Sequence, residues 1–175
     1  MIQTAHLQLV PHSPDHLLAL IEDPARFERL SGTRAAAGLR EFFVSGELSQ
    51  DFLNGLRALP GPDPWRLGFA IIQPEARLVI GSCGFKGPPD SAGMVEIAYG
   101  IAPAYQERGY ATEAAMALID FARANESVRV IHAHTLPTPN ASTRVITKCG
   151  FEFKGEVIEP DDGLVWRWEL PATQV

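Results

Sequence analysis

The sequence predicts an α/β sheet domain, and three stretches carry that prediction. Leu67 to Ile101 holds three apolar runs rich in β-branched residues, separated by turns of Gly, Pro and Asp, which is how successive strands read. Ala111, Ala114, Ala115, Leu118, Ile119 and Ala122 then recur on one helical face. Val130 to Leu170 reads as a strand, a short helix and two further strands.

From the N-terminus, Gln3 to Val10 alternates polar and apolar positions and predicts a half-buried strand. Pro11 to Pro14 ends it, and Asp15 is placed to cap a short helix carrying Leu17, Leu18 and Ile21. Asp23 to Ala58 is loosely helical, with Gly32, Gly38 and Gly46 as interruptions. Leu59 to Pro64 is a loop, because its prolines and glycine forbid regular structure. Strands follow at Leu67–Ile72 and Leu78–Phe85, joined by a turn around Pro74 to Arg77. Lys86 to Gly93 turns into a third strand, Met94–Ile101. After the Ala-rich helix come a strand at Val130–Leu136 and a helix at Ala141–Cys149 ended by Gly150. Strands at Phe151–Ile158 and Leu164–Leu170 close the chain, turning at Asp161-Asp162-Gly163, with Trp166 and Trp168 on one face.

Composition narrows the function. With 175 residues, 46% apolar and 21% charged, the chain is expected to form a single domain over 1–175 with its own core. A net charge of -6 argues against a nucleic-acid partner, which rewards clustered Lys and Arg. No run approaches a membrane span and no signal-peptide pattern opens the chain. Two cysteines, Cys83 and Cys149, fit a reducing cytoplasm better than a disulfide framework.

The informative motif is Glu96 to Glu113, EIAYGIAPAYQERGYATE. A strand runs into Pro103, and a tight turn then opens the Ala-rich helix. The first turn of a helix carries unpartnered N–H groups at the positive end of its dipole, so anions bind there when the backbone is accessible. Gly109 removes a side chain at that point, Ala111 keeps the next inward position small, and Thr112 adds a hydroxyl. Together they make a seat for a pyrophosphate. The Gly-Lys-Ser/Thr of a P-loop and the early glycine of a dinucleotide fingerprint are both missing.

The segment resembles the Gln/Arg-x-x-Gly-x-Gly/Ala turn of the GNAT acetyltransferase superfamily, supplied by Gln106, Gly109 and Ala111. Asn140 to Phe151, NASTRVITKCGF, is similar to that superfamily's second coenzyme-A motif. The resemblance implies a mixed, mostly antiparallel sheet of about six to seven strands flanked by about four helices. It implies acetyl-CoA as co-substrate and an amine acceptor, either a peptide N-terminus or a small molecule. By resemblance, backbone N–H groups across Glu107, Arg108, Gly109, Tyr110, Ala111 and Thr112 hold the pyrophosphate, with Gln106 opening the turn. Tyr99, Gly100 and Ile101 pair with the pantetheine arm, and Asn140 contacts the cofactor through its amide, beside its plainer role as a helix N-cap after Pro139. A strand bulge, easiest at Gly100, splays the sheet and admits the acetyl group.

Glu96 is the candidate proton acceptor, against the plainer reading of a strand Glu paired with a cation. Many relatives place a Tyr where this chain has Ile146, so Ser142 becomes the candidate thiolate acid, against plain helix N-terminal hydrogen bonding. The pattern is similar to the branch holding ribosomal-protein N-terminal acetyltransferases, which also includes enzymes for polyamines, antibiotics and other small amines. A non-catalytic acyl-CoA sensor on the same fold is the alternative, and a homodimer through the late strands is compatible with the pattern. His132 and His134 share a strand face, but no acid or Cys stands beside them in sequence, so no metal is expected. Cys149 is assigned to the core, Trp65, Trp166 and Trp168 to core or interface before acceptor pocket, and Asp161 and Asp162 to a turn before a cation-attracting role.

Overall fold

A computed structural model of the chain describes residues 1–44, 50–160 and 162–173. Helix caps organise the first third. Ser13, not Asp15, caps α1 (Pro14–Glu22): its hydroxyl accepts from the His16 N–H at 3.1 Å, and Pro14 follows with its φ preset. Asp23 ends α1 and caps α2 (Pro24–Ser31), which stops at Gly32 with φ 66°. A two-residue strand β3 (Arg34–Ala35) and helices α3 (Leu39–Val44), α4 (Gln50–Ala58) and α5 (Pro64–Leu67) follow. Gly46, expected to interrupt this helical region, lies outside the described residues.

The strand expected over Gln3–Val10 is a hairpin instead, β1 (Ile2–Gln3) and β2 (Gln8–Pro11). A distant carboxylate reverses the chain there. Glu113 accepts from the Thr4 hydroxyl at 2.6 Å and the His6 N–H at 2.7 Å, tying the turn to the long helix.

The remaining elements follow the sequence reading closely. They are β4 (Phe69–Gln73), β5 (Leu78–Phe85), β6 (Met94–Ile101), α6 (Tyr110–Arg123), β7 (Val130–Thr135), α7 (Ala141–Lys148), β8 (Glu152–Glu159) and β9 (Gly163–Pro171). One sheet runs in the order β1-β2-β4-β5-β6-β7-β9-β8, with β3 beside β5. Its neighbours are antiparallel except β6–β7 and β3–β5. The class is the expected one; the counts are higher, at nine strands and seven α-helices among the described residues. The hairpin and β3 add the strands, while proline-led caps and glycine stops divide the N-terminal helical region.

Helix α6 crosses from β6 to β7 and presses Ala114, Ala115, Leu118 and Ala122, all fully buried, onto the sheet. Small side chains bring its backbone close to β5 and β6. Trp65, Phe69, Phe85 and Phe121 pack on one another with ring centroids 4.5–5.8 Å apart, so Trp65 belongs to the core. At Gly81 an added Cβ would stand 2.4 Å from the Gly100 carbonyl oxygen, so only glycine fits that crossing. Among the described residues, no helix is long and apolar enough to cross a membrane.

His12 is buried in this half of the sheet, 3.0 Å from the Ser82 hydroxyl, which itself donates to the Phe69 carbonyl. Burial, helped by His16, pushes the imidazole down from 6.5 to about 4. The unfolded chain takes up this proton near pH 6.5 while the folded protein refuses it until about pH 4, so stability falls with pH through that window. The loss reaches about 3 kcal/mol. His12→Gln keeps a donor toward Ser82 and removes the titration. Urea midpoints measured from pH 7 to 4.5 are expected to fall less steeply in that variant than in the parent.

Candidate active site

The site begins where two strands part. β6 and β7 run parallel and pair at Met94–Val130, Val95–Ile131 and Glu96–His132, and no further. Beyond Glu96 they diverge, and the cleft between them has a volume of about 540 Å³. Glu96, Ile97, Ala98 and Tyr99 line one wall, Ala133 to Leu136 the other, and the start of α7 closes the end. The expected splay is present, but its origin differs: β6 stays in register with β5 from Ile97 to Ile101, with no shift at Gly100. The opening comes from the short parallel ladder.

A second cavity of about 310 Å³ lies at the N-terminus of α6. It shares Tyr99, Ala141 and Ser142 with the first, so the two cavities adjoin at those residues. Gly109 sits at the N-cap with φ 84°, and no side chain caps the helix. Glu107 also takes a positive φ, 62°. Successive residues of this kind turn backbone N–H groups to one side of the turn. Gly100, Ile101, Gln106, Glu107, Gly109, Tyr110, Ala111 and Thr112 all line this cavity. Gln106 donates to the Ile101 carbonyl at 2.9 Å, holding the turn against the end of β6. Arg108 points its guanidinium over the Tyr105 ring, 5.4 Å from the centroid, and is not among the lining residues.

Around Glu96 the fold assembles a polar cluster drawn from three strands and two connections. Glu96 Oε1 lies 2.7 Å from Lys86 Nζ and 3.1 Å from His134 Nδ1, and its side chain is 12% exposed. Lys86 also reaches Asp162 at 3.6 Å, and His134 Nε2 lies 3.7 Å from Glu159. Partial burial disfavours the Lys86 ammonium, but Glu96 and Asp162 outweigh it and raise its pKa above the usual lysine value. Burial pushes His132 below the usual histidine range, with Glu96 opposing. The sequence reading missed Lys86, Glu159 and the reach of His134 to Glu96. Only the register pairing Glu96 with His132 brings them together, and that register is not written in any local motif. Glu96 is thus cation-paired and also part of the cleft wall.

Asn140 caps α7 through a full capping box. Its Oδ1 accepts from the Thr143 N–H at 3.1 Å, its own N–H donates to the Thr143 hydroxyl at 2.9 Å, and Nδ2 donates to the Thr138 carbonyl. A cofactor contact from this amide would have to be added to those bonds. It lines the larger cavity and not the phosphate turn. Ser142 stands outside the box and lines both cavities. The Tyr99 phenol donates to the Ser142 carbonyl at 3.4 Å, and burial pushes it up to about 12. Ile146 is buried at the same end of the cleft.

The acetyltransferase (GNAT) domain family matches residues 6–152. This chain belongs to that family. An uncharacterized N-acetyltransferase of Bacillus subtilis, YjdG, is 30% identical over 111 residues, 63% of this chain and 64% of that protein. The match therefore spans less than two thirds of that relative. Among solved structures, a RimL ribosomal L7/L12 α-N-protein acetyltransferase in complex with coenzyme A superposes with a TM-score of 0.66 at 15% identity. It covers 96% of this chain and 95% of that one. A ribosomal-protein-S5-alanine acetyltransferase from Vibrio fischeri gives 0.66 at 16% identity over 98% and 96%. These superpositions establish a shared fold.

Of the features set aside from the sequence, Cys149 is half-buried against the core and its thiol is pushed up to about 11 by burial. Both cysteines are free. Trp166 and Trp168 flank Phe153 at 5.4 and 5.3 Å, away from both cavities. Asp162 does reach the cleft through Lys86, whereas Asp161 lies outside the described residues.

At Gly109 a Cβ would meet nothing within 4 Å, so a substitution acts through its positive φ and through whatever side chain enters the cavity. Gly109→Glu places a carboxylate at the positive end of α6. Calorimetric titration with coenzyme A is expected to show binding at least about tenfold weaker than in the parent, with the fold retained by circular dichroism.

Proposed function

We propose that this protein transfers the acetyl group of acetyl-CoA to a primary amine by direct attack in a ternary complex. One observation carries the reading: the cavity at the uncapped N-terminus of α6 adjoins the cleft that Glu96 lines, with Tyr99 and Ser142 in the walls of both. A cofactor with a pyrophosphate at one end and a thioester at the other matches that polarity. On this reading the N–H groups from Glu107 to Thr112 hold the pyrophosphate. The free edge of β6 at Tyr99, Gly100 and Ile101 pairs with the pantetheine amides like an added strand.

Chemistry then falls in the wider part of the cleft. The acceptor nitrogen attacks the thioester carbon, a C–N bond forms, and the C–S bond breaks to leave coenzyme A thiolate. Holding the two together supplies much of the acceleration. The nitrogen must lose a proton, and Glu96 takes it directly or through water. His134 on the same oxygen, with Glu159 beyond it, offers that proton a way out. Ser142 is the hydroxyl positioned to protonate the thiolate.

The same chemistry favours an α-amino acceptor. An α-amino group ordinarily titrates near 8 and a side-chain amine near 10.4, so neutralising the former is easier by about 3 kcal/mol at fixed pH. The ribosomal L7/L12 α-N-protein acetyltransferase among the structural neighbours acts on such a group by name. We place the protein in the cytoplasm, where two free cysteines persist. Exposed Phe153, Ile158 and Leu164 on β8 and β9 support a homodimer through those strands. Ile146 in place of a hydroxyl-bearing residue is the one feature that favours a non-catalytic acyl-CoA sensor.

Glu96→Gln separates the two readings. With an α-amino peptide as acceptor, kcat is expected to fall about a hundredfold or more, with acetyl-CoA affinity unchanged by calorimetry. An unaltered turnover number would remove Glu96 from the mechanism, and no turnover by the parent across peptides, polyamines and small amines would leave the sensor.

A further inference from the structure

The cluster behind the cleft has the composition of a metal site. Glu96, His132 and His134 each offer one donor atom, and the three donors lie within 4.8 Å of one another. The parallel register places Glu96 opposite His132, and the two-residue period of β7 puts His134 on the same face, with the imidazole rings 5.4 Å apart. Two histidines and one carboxylate, with a fourth position open to a cleft, form a donor set that suits zinc and its neighbours better than magnesium or calcium.

A second observation points the same way. His132 Nδ1 is buried with no hydrogen-bond partner among the described residues, and the His134 side chain is only 5% exposed. Buried ring nitrogens normally find a partner. Glu96 Oε1 and His134 Nδ1 already stand 3.1 Å apart, a separation that two ligands at about 2.0–2.2 Å from one ion adopt. His132 needs a shift of an ångström or so, within the reach of a side-chain rotation.

Lys86 is the obstacle and also the clue. Its ammonium sits 2.7 Å from Glu96 Oε1 and supplies the positive charge that the carboxylate requires. It is half exposed and has Asp162 at 3.6 Å as an alternative partner, so it can withdraw when a divalent ion arrives. We propose that Glu96, His132 and His134 form a binding site for a divalent transition-metal ion of the zinc type, which displaces the Lys86 ammonium. A bound ion would hold the Glu96 carboxylate and so switch off the cleft as a proton acceptor.

Cobalt(II) tests this without any substrate, so the result is independent of whether Glu96 is the base. Titration into the full chain is expected to produce d–d absorption of a low-coordinate His/carboxylate site at one ion per chain, reversed by zinc. His132→Gln is expected to weaken binding at least about tenfold, since even removing groups that merely support a ligand costs about 10–100-fold. Lys86→Met removes the competing cation and is expected to tighten it severalfold. Circular dichroism and a urea midpoint check that each variant is folded, and Lys86→Met stands as the independent arm if His132→Gln is not. Absence of a stoichiometric site in the parent, equal affinity in a folded His132→Gln, or weaker binding in a folded Lys86→Met would each overturn the proposal.

Discussion

The parallel ladder between β6 and β7 is three residue pairs long, and most of the site depends on where it stops. A longer ladder would seal the sheet and leave no space for a substrate. A shorter one would lose the register that sets Glu96 beside His132. Helix α6, crossing from one strand to the other, holds their N-terminal ends together through its buried alanines and Leu118. The other ends are free to part, and α7 closes the gap with Ser142 and Ile146. The exposed β6 edge from Ile97 to Ile101 keeps backbone groups that a strand-like ligand can pair.

The same helix does two jobs at its N-terminus. Its uncapped N-terminus borders the smaller cavity, while Glu113, in its first turn, holds the Thr4–Leu7 turn of the N-terminal hairpin. Burial disfavours that carboxylate's charge, but the bonds from Thr4 and His6 prevail and hold it below the usual range. The start of α6 is therefore anchored to the far edge of the sheet, through a contact between residues remote in sequence.

Electrostatics at Glu96 are shared among Lys86, His134, Glu159 and Asp162. Three carboxylates to one lysine leave the cluster with surplus negative charge when His134 is neutral. A cationic acceptor, or a divalent ion, meets that surplus. This gives one physical origin for both the proposed amine acceptor and the proposed metal site.

Local chemistry alone determined a good deal. The strands from Leu78 to Ile101, helix α6, the Gly150 stop of α7 and the uncapped turn at Gly109 follow from periodicity, proline and glycine, and all were legible in the sequence. The Gln3–Val10 segment misled because its alternation is that of one strand, while the reversal is made by Glu113, over a hundred residues away. Asn140 was legible as a cap, and its capping box spans only four residues. The Glu96 cluster was not legible: Lys86, Glu96, His134, Glu159 and Asp162 stand in separate segments, and only strand register places them within hydrogen-bonding or ion-pairing distance. Interactions a few residues apart are fixed by backbone geometry and can be read directly, whereas partners across a sheet are chosen by the packing of the whole chain.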